Sequence, residues 1–133
     1  MSLLNTYLME LEMDTTVNDF NLKEVQLKLP AIKHKWVGRY IRHKSELQRL
    51  QRQKEQTSRN LVEETLKKSP VDLKTSTGAV SRMVENTETI QKINDQIEEL
   101  KLIIELLKKA EKVLSSMSFD LRNITDIIRL EQL

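Results

Sequence analysis

Residues 93–128 read INDQIEELKLIIELLKKAEKVLSSMSFDLRNITDII, and Ile93, Leu100, Leu107, Leu114, Leu121 and Ile128 recur in them at intervals of seven. Seven residues are two turns of a slightly underwound α-helix, so this column predicts a coiled-coil seam or a bundle face. Ile97 and Ile104 flank the column at +4 early on, and Ile103, Ala110, Met117 and Ile124 flank it at +3 later. That change of flank, with Ser115, Ser116 and Ser118 close by, predicts a kink or a break there. An apolar stripe of this length exceeds what short N-terminal helices can cover, so self-association through the six column residues is expected beside packing within the chain.

The rest of the sequence agrees with helices. Aromatic residues make up 4% of 133 residues, and there are two glycines and two prolines, too few turn formers for a sandwich or barrel. Glu, Lys, Leu, Gln and Arg dominate, which suits long amphipathic helices in an all-α fold with a coiled-coil-like C-terminal region. Working back from the column, the C-terminal helical region should begin near Ala79 and run to about Leu130. Ser69-Pro70 should end the helix before it, and residues 69–78 read as a loop. A long helix is expected from about Leu22 to Lys68, kinked or restarted at Pro30, where the ring removes a donor and clashes with the preceding turn. Asn21 is its expected N-cap. Leu4, Leu8 and Leu11 predict a first helix over residues 2–12. The chain thus divides into an N-terminal helical region 1–68, the loop 69–78 and a C-terminal helical region 79–133.

Charge is distributed unevenly. Residues 28–59 hold ten Lys or Arg and two acids, a net +8 in a chain whose total is +2, whereas residues 1–27 sum to −4. Few acids stand where they would make i,i+4 pairs, so the cations repel along the helix, and a polyanion would relieve that repulsion and release counterions. Residues 51–60 carry no apolar side chain, so this stretch is either solvated or holding a charged ligand. Trp36 and Tyr40 share one helix face in register with Leu29 and Ile32, which reads as core anchoring, and Tyr40 is the better placed to offer a ring edge to a base. Basic groups interleaved with rings suit single-stranded nucleic acid. The two histidines, His34 and His43, have no acid cluster converging on them, and His43 can sit neutral or assist a phosphate contact.

No nucleophile elbow, Walker-type loop or His-Glu-x-x-His occurs, and Glu63-Glu64 and Glu98-Glu99 are adjacent pairs that face different ways on a helix. We therefore expect no catalytic residue, no cofactor and no metal site. The absence of cysteine fits a reducing compartment. Met1–Glu12 has neither a basic leader nor a small-residue cleavage site, and the apolar runs are far too short for a membrane span.

The stretch Ala110–Glu131 adds a resemblance. Ser116, Phe119, Arg122, Ile124, Asp126 and Glu131 match the pattern of the UvsY-type recombination mediators of T4-like phages. Lys35-Trp36, followed by Lys44, Glu46, Arg49, Gln53 and Lys54, matches it again. The resemblance covers most of the chain apart from residues near 69–89. It implies binding of single-stranded DNA without strong sequence preference and assembly into a ring-like homo-oligomer, roughly a hexamer or heptamer, driven by the C-terminal region. It also implies help in loading a RecA-like phage recombinase onto DNA covered by the phage single-strand-binding protein, in the cytoplasm of the infected bacterial host. The family's basic DNA-contacting motif falls on Arg59, with Lys54 and Arg52 before it, and Leu61 stands where a second basic residue is expected.

The candidate DNA contacts are Lys35, Arg39, Arg42, Lys44, Arg49, Arg52, Lys54 and Arg59. They cannot all share one helix face, and the apolar-free stretch 49–59 is favoured. The alternative is a coiled-coil scaffold or adaptor whose basic helix docks an acidic protein. A membrane helix would keep bulky apolar residues opposite its cations, and residues 51–60 have none.

Overall fold

A computed structural model describes residues 2–68 and 77–132 as four helices: α1 Leu3–Thr15, α2 Leu22–Lys68, α3 Thr77–Glu85 and α4 Glu88–Gln132. Among the described residues there is no strand, so the fold is all-α. Residues 69–76, most of the expected loop, lie outside the described residues.

α1 starts at Ser2, whose Oγ accepts from the Asn5 amide at 3.2 Å, satisfying one free N–H of the first turn. The helix runs three residues past its expected end and so includes Asp14. Before α2, Asn18 and Asn21 bond reciprocally. Asn18 Oδ1 accepts from the Asn21 amide at 3.0 Å and Asn21 Oδ1 accepts from the Asn18 amide at 2.7 Å, a capping-box arrangement. Asn21 stands directly before Leu22, as expected, and its carbonyl accepts from the Val25 amide at 2.9 Å, while the Asn18 side chain holds the turn that leads into it. α2 continues through Pro30 without interruption. Pro30 lies on the exposed side, next to buried Leu29, so its ring meets solvent there.

The C-terminal helical region takes a more definite form, and one expectation for it is corrected. The region is two helices, because the chain leaves helix at Asn86-Thr87. Thr87 closes α3 by donating its hydroxyl to the Val84 carbonyl at 2.7 Å, and its own carbonyl accepts from Gln91 to start α4. In contrast, α4 has no break at the serines. Ser116 donates its hydroxyl back to the Val113 carbonyl at 2.9 Å, which satisfies it inside a continuous helix.

The chain forms two compact units, Met1–His43 with Leu102–Leu133, and Lys44–Lys101. In the first, Tyr7 of α1, Val25, Leu29 and Trp36 of α2, and Ile103, Leu107, Ala110, Leu114, Met117 and Leu121 of α4 make one core. Ala110 is wholly buried, and its small side chain leaves room for a neighbouring helix. In the second unit the buried residues are Leu50 of α2, Val80 and Val84 of α3, and Ile90, Ile93, Ile97 and Leu100 of α4. Of the seven-residue column, Ile93, Leu100, Leu107, Leu114 and Leu121 are buried within the chain, and Ile128 is half-buried.

Candidate nucleic-acid interface

The eight candidate cations have different surroundings, and the first unit explains why. Its N-terminal helix is acidic and presents Tyr7, Glu10 and Asp14 at spacings of three and four, along one face. That face meets α2. Glu10 accepts from both guanidinium nitrogens of Arg39, at 2.7 and 3.1 Å, and from Lys35 at 2.9 Å. Asp14 Oδ2 accepts from Lys35 at 2.7 Å and from the indole N–H of Trp36 at 2.8 Å. The Arg39 guanidinium also lies 4.6 Å from the Tyr7 ring and 4.9 Å from the Trp36 ring, within cation–π range. Trp36 is 1% exposed and so is a core anchor, with Tyr7 meeting it edge-on at 5.7 Å. Tyr7 Oη and His43 Nε2 are 2.8 Å apart, which gives His43 a partner inside the protein.

The titration of this cluster follows its geometry. The hydrogen bond from Arg39 is the main reason the Glu10 carboxyl sits below its ordinary value of 4.5. Burial opposes the shift, and Lys35 adds to it. For Lys35 the largest single influence is burial, which disfavours the ammonium. The bonds to Asp14 and Glu10 together outweigh it and raise the value above 10.5. Lys35 and Arg39 are therefore both occupied by carboxylates. The sequence reading registered the acidity of residues 1–27 but missed Tyr7, Glu10 and Asp14 as partners. Their shared spacing on one helix face was the available signal.

Arg42 is exposed and also belongs to the first unit. The remaining five candidates lie in the second unit. Arg49, Arg52 and Arg59 are all exposed, and at about 100° per residue they fall within an arc of roughly 80° on the side of α2 away from buried Leu50. Arg59 bonds Glu55 at 2.6 Å, but both side chains are about two-thirds exposed, and such a pair contributes little and yields readily to another anion. Lys44 is exposed too, about 60° beyond Arg59 around the helix, so including it widens the arc to roughly 140°. Lys54 is half-buried on the Leu50 side, at a groove of about 590 Å³ that exposed Arg59 also borders and that Glu55, Glu63 and Glu85 line. Leu61 is half-buried, as an apolar residue on the packed side should be.

The structure thus keeps Arg49, Arg52 and Arg59 together as an outward cationic face and separates Lys35 and Arg39 from it. Among the described residues no group of His, Asp or Glu could hold a metal ion. No helix among them is long and apolar enough to cross a membrane.

A family model described as recombination, repair and ssDNA binding protein UvsY matches residues 10–132. Among solved structures, one crystal form of the recombination mediator protein UvsY of bacteriophage T4 superposes with a TM-score of 0.80 at 15% identity, over 98% of this chain and 99% of that chain. A second crystal form gives a TM-score of 0.75 at 14% identity, over 100% and 99%. At these identities the structures speak for the shared fold. A comparison with curated protein sequences finds no match.

Proposed function

Because the chain belongs to the UvsY family of recombination, repair and single-stranded-DNA-binding proteins, we propose that it binds single-stranded DNA through Arg49, Arg52 and Arg59 of α2. The observation that carries this reading is the outward face those arginines share, on a stretch with no apolar side chain from residue 51 to 60. Three cations on one helix contact few phosphates, so a single copy binds weakly. A homo-oligomeric ring would present the face repeatedly, and the contacts of several copies on one strand would add as avidity. In this reading the protein is a mediator. It bends or extends a strand covered by single-strand-binding protein, loosens that protein, and lets a RecA-like recombinase nucleate, in the cytoplasm of an infected bacterium. The chain itself needs no nucleotide hydrolysis for this.

The test is binding of a labelled single strand and of the matching duplex across a salt series. Tight single-strand binding with a steep salt dependence and weaker duplex binding is the expected result. Absence of binding at low salt would overturn the reading and leave the basic face as a docking surface for an acidic protein.

A further inference from the structure

Lys35, Arg39 and Trp36 form a set that the proposed DNA contact does not use. Two cations beside an indole are what a single strand needs: charges for phosphates and a ring for a base. Here the anions are supplied by the protein. Glu10 and Asp14 sit on Lys35 and Arg39 at 2.7–3.1 Å, as phosphate oxygens would. We propose that α1 is an internal stand-in for the DNA strand, covering a second contact surface of Lys35, Arg39 and Trp36 that the strand takes over when α1 lifts. This rests on the single-strand reading above and adds a regulated site to it.

Two features make α1 removable. It has 13 residues, a length at which a helix is marginal alone, so its order depends on docking. Its inward face offers one buried side chain, Tyr7, with Leu4 and Leu11 only partly buried, whereas Met9 and Met13 are 55% and 77% exposed. The carboxylates thus carry much of the attachment, and they are the groups that a polyanion replaces.

The experiment uses the full chain with E10Q/D14N, which keeps the shape and the acceptor for the Trp36 N–H but removes both charges. A labelled oligothymidylate is titrated against it across a salt series, with emission from Trp36, the sole tryptophan, as a second readout. Release of two cations to phosphates should steepen the logarithmic salt slope by about 1.4 and tighten low-salt binding at least about tenfold. The strand should quench Trp36 in this variant. Adding K35Q/R39Q should return the slope to that of the native chain. Should E10Q/D14N lose helicity, E10Q alone, which leaves Asp14 on Lys35 and Trp36, should show about half the change in slope. A folded variant with the native slope and unquenched Trp36 overturns the proposal. If the native chain binds no single strand but E10Q/D14N does, the Arg49 face is wrong and this site stands. If neither binds, both readings fall.

Discussion

Trp36 donates its single polar hydrogen to Asp14 at 2.8 Å, and the same carboxylate oxygen holds Lys35 at 2.7 Å. One acid thus satisfies the buried indole and neutralises its charged neighbour. Removing it leaves the indole N–H without its acceptor, while Lys35 keeps Glu10 at 2.9 Å. Asp14→Ala should destabilise the fold by about 1–3 kcal/mol, the cost of leaving a buried donor unsatisfied. Urea unfolding followed by circular dichroism measures it, with Asp14→Asn expected to lose less because the amide oxygen still accepts from Trp36.

Glu10 has a lowered folded-state pKa, chiefly through Arg39, so its stabilising effect is complete above the ordinary value of 4.5. It is lost as pH falls through the lower folded value. The native chain should therefore lose urea resistance between about pH 4.5 and the acid limit, and E10Q should lack that component. Equal acid dependence in the two proteins would remove Glu10 from the account.

Arg49, Arg52 and Arg59 share an exposed face, so their joint replacement by alanine should flatten the single-strand salt slope by about 2, three phosphates at ~0.7 each. Sedimentation should give the same coefficient before and after. Replacing Lys35 and Arg39 by glutamine in the native chain should leave the slope almost unchanged, since Glu10 and Asp14 already occupy them.

Leu114 is 2% exposed within a single chain. Leu114→Ala should cost about 2–5 kcal/mol and lower the unfolding midpoint of each subunit. Half-buried Ile128 should cost much less on the same change. If Leu114→Ala lowered the sedimentation coefficient while leaving the unfolding midpoint intact, the column would be an interface rather than a core.

The seven-residue column made α4 legible from sequence alone, and the missing apolar side chains of residues 51–60 marked the solvated part of α2. The interruption at Asn86-Thr87 was passed over although it left a trace: no Gly or Pro stands there, but Val84 and Ile90 are six apart, out of register for one helix face, and Asn86 and Thr87 are capping types. The serines around 116 suggested a break that a hydroxyl bonded to the preceding turn makes unnecessary. The fate of Lys35 and Arg39 was hidden for a different reason. Their partners lie 21 to 29 residues away in sequence, and a search for i,i+4 acids sees only one turn of the same helix. Residues 28–59 therefore read as free charge although acids of α1 hold Lys35 and Arg39. Trp36 fared better, since its register with Leu29 placed it in the core correctly.

The first unit takes its pieces from both ends of the chain, whereas Lys44–Lys101 is one uninterrupted segment. On a ribosome these have different timetables. The middle segment can close as soon as it emerges, but Tyr7 and Trp36 have no Leu107 or Leu114 to meet until about seventy more residues have been made, on the order of ten seconds at ordinary elongation rates. During that interval the nascent chain displays a wet indole, and anything that captures exposed aromatic surface has its opportunity then.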